Sequence, residues 1–233
     1  MKKQTLVKVD NISKKFCRDL KTSLLYGLKD IANEFIPRKN YSKQLREKEF
    51  WALKNISLEL NQGEVLGLIG KNGSGKTTLL RLINGLIKPD NGIIEVKGRV
   101  GALIALGAGF NPILTGRENV YVNGSVLGLS KTEIDSKFDE IVEFSELEDF
   151  IDTPVQNYSS GMQVRLGFAV AAQMDPDLLL TDEVLAVGDF RFSNKCFSML
   201  QKLKNNGTST ILVSHSMGNI LQFADRVVWL DNG

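Results

Sequence analysis

Residues 64–78 read EVLGLIGKNGSGKTT, and this stretch decides the fold. Residues 65–69 form a short apolar run of the kind found in strands that are buried on both faces. Residues 70–77 match the spacing G-x-x-x-x-G-K-[ST] and lead into a helix predicted over 74–86. A strand, a glycine-rich loop and a helix in this order form a phosphate-binding loop, because backbone N–H groups and the helix N-terminus point at one anion.

This loop is expected to bind a nucleotide with Mg²⁺. Lys76 would reach the β- and γ-phosphates, and the Thr77 hydroxyl would hold Mg²⁺. The alternative is a glycine-rich loop that matches by chance, and the strand before it and the helix after it argue against that alternative. The predicted ATP-binding residues of the loop are Gly70, Lys71, Asn72, Gly73, Ser74, Gly75, Lys76, Thr77 and Thr78.

A second apolar strand ends in two acids, in the sequence LLLTDE of residues 178–183. Two acids at a strand end are by themselves typical of a solvated edge. Together with the loop above, they predict that Asp182 holds Mg²⁺ and that Glu183 polarises the attacking water. The single histidine, His215, follows another apolar strand, at the sheet edge where ligands bind in open α/β folds. It is interpreted as a γ-phosphate sensor rather than a structural histidine.

The rest of the chain favours one α/β domain with a mainly parallel sheet, because buried strands alternate with helices. Ser130 and Glu133 have the spacing of a capping box and predict a helix from Ser130. A further small-residue loop, residues 157–163, opens a helix and is a second candidate anion site. One nucleotide does not need two such sites on one chain, so a neighbouring subunit would supply the second.

Composition excludes several classes of protein. Among 233 residues, 42% are hydrophobic and 24% charged, and the net charge is +2, which is typical of a globular protein that does not bind nucleic acid. Two distant cysteines indicate neither a disulfide framework nor a zinc site. The N-terminus does not resemble a signal peptide, and no apolar run has the length of a membrane span, so a cytosolic or peripherally attached protein is expected.

In this order, the motifs resemble the nucleotide-binding domain of ABC transporters across essentially the whole chain. The resemblance implies one domain over 1–233, with a mainly parallel core sheet, flanking helices, an antiparallel β part and a helical subdomain at about 110–170. It also implies a homodimer that holds two ATP molecules, each between the phosphate-binding loop of one subunit and the signature motif of the other. The signature residues would be Ser159, Ser160, Gly161, Met162 and Gln163, and the D-loop acid would be Asp189.

The stretches 98–103, 106–112 and 114–119 narrow the resemblance to ATPases of O-antigen and teichoic-acid exporters. That family implies transport of lipid-linked polysaccharide by a separate ABC-2-type permease, with the ATPase at the cytoplasmic face of the membrane. The alternatives are an exporter ATPase for a drug or a small lipid, and an ABC ATPase outside transport. The turn signal at 231–233 predicts a hairpin partner, and a further domain, beyond the sequence given.

Two stretches depart from the usual ABC pattern. Residues 105–107 align with the Q-loop but contain no glutamine. Residues 17–49 form an insert with eight Lys/Arg and five Asp/Glu, a net charge of +3, and with a predicted helix over 19–36. This insert would either pack on the domain as a surface helix or lie near the anionic leaflet. Phe16 is the first candidate for the adenine platform and Trp51 the second, and either ring could equally belong to the core.

Overall fold

The computed structural model describes residues 4–34, 45–103, 109–173, 175–182, 190–214 and 216–233, with the backbone alone for 29–34 and 190. The strands are β1 (Thr5–Cys17), β2 (Glu49–Asn61), β3 (Val65–Ile69), β4 (Asn91–Val96), β5 (Val100–Leu103), β6 (Leu178–Asp182), β7 (Ser209–Val213) and β8 (Arg226–Trp229). The helices are α1 (Leu20–Glu34), α2 (Lys76–Ile83), α3 (Gly116–Val126), α4 (Lys131–Ser145), α5 (Ser160–Ala172), α6 (Phe190–Asn205) and α7 (Met217–Phe223). Two short 3₁₀ helices, Glu148–Phe150 and Val155–Asn157, lie between α4 and α5.

The chain divides into two compact units. The larger unit consists of Met1–Leu6, Leu60–Leu68 and Lys97–Val228, and the smaller unit of Val7–Glu59, Ile69–Val96 and Trp229–Gly233. The larger unit contains a five-stranded sheet in the order β5-β6-β7-β3-β8. Its central strands are almost wholly buried and pair in parallel, so the prediction of an α/β fold with a mainly parallel sheet is confirmed.

The register of this sheet brings the carboxyl ends of three strands together. Val213 of β7 lies opposite Leu68 of β3 on one side and Asp182 of β6 on the other. The phosphate-binding loop follows β3 directly in the chain, since β3 ends at Ile69 and the loop starts at Gly70.

A helical part of the larger unit is built from α3, α4 and α5 around its own apolar cluster. The cluster includes Ile134 and Ile141 of α4 and Leu166 of α5, all fully buried. Capping boxes start two of these helices, Thr115 with Glu118 at α3 and Ser130 with Glu133 at α4, as the sequence predicted for α4. Hydrogen bonds from Ser130 hold the pKa of the Glu133 carboxyl below its usual value.

The smaller unit contains a three-stranded sheet in the order β2-β1-β4, in which β1 and β4 are antiparallel. Helix α2 packs against β4. The helix predicted over 74–86 is shorter than expected at both ends. It ends at Ile83 because Gly85 takes a left-handed conformation, and the N–H of Leu86 donates to Arg81 O while that of Gly85 donates to Leu82 O. This is a Schellman ending.

Within the described ranges, no helix is both long and apolar enough to cross a membrane.

Candidate nucleotide-binding site

The phosphate-binding loop packs so tightly on its surroundings that two of its glycines have no substitute. Gly70 has φ 154°, and a Cβ there would collide with the carbonyl oxygen of Leu230. Gly75 has φ 103°, and a Cβ there would lie 2.6 Å from Ala52 O on β2. Since both positions also lie in a region of φ that disfavours side chains, the loop's path depends on glycine.

Lys76 and Ser74 point to the ligand that this loop accepts. Lys76 is buried, and its Nζ donates to Gly70 O at 2.8 Å and to Lys71 O at 3.0 Å. The Ser74 hydroxyl is buried and has no hydrogen-bond partner among the described residues. The first N–H groups of α2, which begins at Lys76, have no acceptor within a helix. A buried cation, an unsatisfied hydroxyl and free helix N–H groups together fit the phosphates of a nucleotide.

Asp182 ends β6 and is half-buried at the sheet edge described above. The predicted catalytic residues Glu183 and His215 and the D-loop acid Asp189 lie outside the described residues. So do residues 105–107, which align with the Q-loop. Their roles therefore stay predictions. No cluster of three His, Cys, Asp or Glu side chains that could hold a metal ion occurs in the described part of the chain.

The signature stretch lies at the start of α5, as predicted. Ser159 is the N-cap residue, and its Oγ accepts a hydrogen bond from the N–H of Met162 at 3.2 Å. Ser160 is exposed, and Gly161 and Gln163 are half-buried. Tyr158, just before the helix, is buried, and its hydroxyl donates to Phe150 O at 2.7 Å. The buried tyrosine thus anchors a helix N-terminus whose first residues remain accessible.

The adenine platform remains a prediction, and the structure places the ring of Phe50 beside that of Phe16, the first candidate. Phe16 on β1 is 39% exposed and lies 6.4 Å from Phe50 on β2, centroid to centroid. Lys14 Nζ lies 5.7 Å from the centre of the Phe16 ring. Phe50 is two residues before Ala52, against which Gly75 of the phosphate-binding loop packs. Sequence reasoning missed Phe50 because only the pairing of β1 with β2 brings it to Phe16.

The stretch 111–119, which carried the narrower resemblance, has a structural explanation. Asn119 is fully buried, and its side-chain amide donates to the carbonyl oxygens of Asn111, Leu114 and Thr115 at 2.9–3.2 Å. Its Oδ1 accepts from the N–H of Asn111 at 2.8 Å. One buried amide therefore fixes the loop that leads into α3, since each of its polar atoms is satisfied by that loop.

Comparison with known proteins agrees with this geometry. Residues 53–186, more than half of the chain, match the family model described as ABC transporter. The chain is 50% identical to the ABC transporter protein AbcA of Aeromonas salmonicida over 80% of its own length and 60% of that protein. It is 44% identical to the O-antigen export system ATP-binding protein RfbB of Klebsiella pneumoniae, over 88% and 82% of the two chains. It is 47% identical to the teichoic acids export ATP-binding protein TagH of Enterococcus faecalis, over 79% and 41%.

Solved structures share the fold at lower identity. A dimeric ATP-binding cassette in a post-hydrolysis state with ADP and Pi superposes with a TM-score of 0.75 at 24% identity, covering 97% of this chain and 95% of that one. An ATP-binding subunit of an ABC transporter gives 0.76 at 21% identity, over 98% and 87%. The match of the family model and the identity to RfbB over most of both chains lead to one conclusion: the chain belongs to the ABC transporter family.

Proposed function

We propose that this chain is the ATP-hydrolysing subunit of an ABC exporter that moves lipid-linked polysaccharide across the cytoplasmic membrane. The observation that carries the ATP part is the phosphate-binding loop, with Lys76 held by two carbonyl oxygens and the Ser74 hydroxyl buried without a partner in the described residues. The cargo part rests on relatives named as O-antigen and teichoic acids export ATP-binding proteins, at 44–48% identity.

The chain's own residues would divide the work of hydrolysis as follows. Lys76 and the N–H groups at the start of α2 hold the β- and γ-phosphates, while Phe16 stacks on the adenine. Thr77 and Asp182 would hold Mg²⁺, which would supply positive charge to offset that of the phosphates. Glu183 takes a proton from the attacking water, and His215 contacts the γ-phosphate.

The second anion site, at the start of α5, supports a second copy of the chain as a partner. Its N-terminus is accessible at Ser160 and would bind the ATP of another copy of the chain, which makes a homodimer the simplest assembly. A membrane-spanning permease of the ABC-2 type would carry the polymer, and the ATPase would lie at the cytoplasmic face of the membrane beneath it.

The hydrolysis assignment is tested with Glu183→Gln. This variant should bind ATP with the affinity of the wild type, and its turnover should fall by about 100-fold or more, because the general base is lost and the shape is kept. Glu148→Gln, at an exposed position, is the control and should hydrolyse ATP normally. Normal turnover in Glu183→Gln would contradict the assignment.

The cargo is tested by depleting the protein in its own cells and analysing polyprenyl-linked glycans. Accumulation of such a glycan inside the cell, with less polymer at the surface, is the expected result. Re-expression of the wild type should restore export, and re-expression of Glu183→Gln should not. Unchanged lipid-linked glycans would refute polysaccharide export and would leave ATP hydrolysis untouched.

A further inference from the structure

Three helices of the larger unit meet at a junction in which each contributes one charged residue and one aromatic ring. We name it the Glu146 junction. It consists of Glu146 and Phe144 at the end of α4, Arg165 and Phe168 of α5, and Lys195 and Phe192 of α6.

The charged part of the junction is centred on one carboxylate. Glu146 Oε2 lies 3.2 Å from Arg165 Nη1, and Glu146 Oε1 lies 3.3 Å from Lys195 Nζ. Lys195 also donates to the carbonyl oxygen of Glu143, in the last turn of α4, at 3.2 Å. All three charged side chains are partly buried, so solvent screens them less than it screens pairs on the open surface. A single glutamate therefore ties α4 to both α5 and α6.

The aromatic part lies beneath these charges. Phe144 and Phe168 are stacked with their centroids 5.7 Å apart, and Phe192 meets them edge-on at 5.8 and 6.3 Å. Arg165 lies over the Phe192 ring at 5.0 Å, and Lys195 over the Phe144 ring at 4.9 Å. Since each cation belongs to one helix and covers a ring of another, the arrangement requires all three helices to be in place.

The backbone of Glu146 adds an independent observation. It has φ 57° and ψ 43°, a left-handed conformation that at helix ends is usually adopted by glycine or asparagine. A glutamate tolerates this conformation only where its surroundings stabilise it, and such strained positions are concentrated at functional sites. The chain thus keeps a carboxylate at a position where glycine would be less strained.

One of the two helices joined to Glu146 leads directly to the signature stretch. Helix α5 begins at Ser160, within the signature stretch. Whatever holds α5 against α4 and α6 therefore also holds the signature stretch.

We propose that Glu146 is a positioning residue that holds α5, and with it the signature stretch, against α4 and α6. This rests on the proposed function. In the proposed dimer, the signature stretch serves the ATP of the partner, whereas the chain's own ATP is bound by its phosphate-binding loop, which is not part of the Glu146 junction. Turnover should depend on the junction, whereas ATP binding by the phosphate-binding loop should not.

Two substitutions separate this role from simple support of the fold. Glu146→Gln removes the charge and keeps the strained backbone, whereas Glu146→Gly removes the charge and relieves the strain. Each should lower kcat by about tenfold or more, because small misplacements of reacting groups are costly, and each should leave ATP affinity within about twofold of the wild type. Glu140→Gln, the same change at an exposed position of α4, is the matched control and should behave as the wild type.

The measurements are kcat, ATP affinity and the midpoint of thermal unfolding for the whole chain. Glu146→Gly should unfold within about 4 °C of the wild type, because the relieved strain offsets the lost ion pairs. A kcat within about twofold of the wild type in both variants would overturn the proposal. An equal loss of ATP affinity and kcat would also overturn it, since the junction would then merely support folding. Glu183→Gln, measured in the same assay, tests the hydrolysis assignment separately.

Discussion

At the scale of single residues, the phosphate-binding loop is arranged to favour an anion. The Lys76 ammonium is buried, and its described partners are two neutral carbonyl oxygens, at 2.8 and 3.0 Å. A charged phosphate oxygen is a stronger partner for it than a carbonyl. The Ser74 hydroxyl, buried without a partner among the described residues, costs about 1–3 kcal/mol until an acceptor or donor reaches it. Both residues therefore gain when phosphate binds.

Glu64 carries a prediction about stability and pH. It lies just before β3, is 7% exposed, and accepts hydrogen bonds from Arg226 Nε at 2.8 Å and from Asn61 N at 2.9 Å. Burial raises the pKa of this carboxyl, but the hydrogen bonds from Arg226 and Asn61 outweigh burial and hold the pKa below its usual 4.5. Glu64→Gln should therefore cost about 1–3 kcal/mol of unfolding free energy at pH 7.

The sign of the pH dependence follows from the lowered pKa. A carboxyl whose pKa is lower in the folded state stabilises the protein above its unfolded pKa, and that stabilisation is lost as the pH falls through the folded pKa. The difference between wild type and Glu64→Gln should thus be full at pH 7 and shrink below about pH 4.5. Urea unfolding at several pH values measures it, with Glu95→Gln, at an exposed position of β4, as the control. A difference that grows on acidification would contradict the assignment.

At the scale of elements, the sequence predicted those elements whose signals are local. The apolar run of β3 and the glycine pattern after it identified the phosphate-binding loop, and the Ser130–Glu133 spacing identified the start of α4. Strand β5 was missed because it has four residues and is defined by its pairing with β6. Lys76 and Ser160 lie at helix starts because those starts have local signals, whereas the Phe16–Phe50 contact and the Glu146 junction depend on pairing between distant segments.

Helix α3 lies in the predicted helical subdomain, but it was not predicted as an individual helix. Its sequence contains Gly116 and Gly124, which normally argue against a helix. In the structure, a Cβ on Gly124 would lie 2.8 Å from Ile134 Cδ1 of α4, so the glycine permits close packing of two helices. The spacing of Thr115 and Glu118, which form the capping box of α3, was a local signal that could have identified its start.

Helix α1 is formed as predicted, and the leucines on the described part of its apolar face are exposed. Leu20, Leu24 and Leu28 are 76%, 64% and 66% exposed. Two cations of the insert hold the helix: Arg46 lies over the Tyr26 ring at 4.6 Å, and Lys48 pairs with Asp19 at 3.2 Å. Hydrogen bonds from Thr22 and Lys48 lower the pKa of Asp19 to about 2. These exposed leucines favour the interpretation in which the insert faces a membrane surface over the one in which it packs on the domain.

The prediction for α1 is that its leucines bind lipid and do little for the fold. Replacing Leu20, Leu24 and Leu28 together by Gln should abolish sedimentation with vesicles that contain anionic lipid. Each exposed substitution should change the unfolding free energy by no more than about 0.5 kcal/mol. Leu86→Gln with Ile93→Gln, at apolar positions that are also exposed, is the matched control and should sediment as the wild type does. Equal vesicle binding by the α1 variant and the wild type would refute a lipid-facing role.

At the scale of the whole molecule, the proposed function gives one chain two places for a nucleotide's phosphates. The loop 70–77 leads into α2, and the stretch 158–163 leads into α5. A closed dimer with twofold symmetry would use both, because each of its two nucleotide sites would combine the loop of one chain with the signature stretch of the other. Sites shared between two chains make a prediction of their own. Hydrolysis by a monomer, or at a site built within one chain, would not give the same result.

The prediction is that two inactive variants restore activity when they are mixed. Lys76→Ala disables the phosphate-binding loop, and Gly161→Asp places a negative charge where the partner's phosphate would bind. The introduced carboxylate should not disturb folding, because a Cβ at Gly161 would have Ser159 Oγ as its nearest neighbour, at 3.8 Å, and an acid near a helix N-terminus is favourable.

In a mixed dimer, one site has an intact loop from one chain and an intact signature stretch from the other. Random mixing of equal amounts makes half of the dimers mixed, and one of the two sites in each mixed dimer is intact. A quarter of all sites are then intact, so the mixture should show about a quarter of the wild-type ATPase activity. Each variant alone is the control and should be nearly inactive, and a mixture no more active than its components would exclude sites shared between chains.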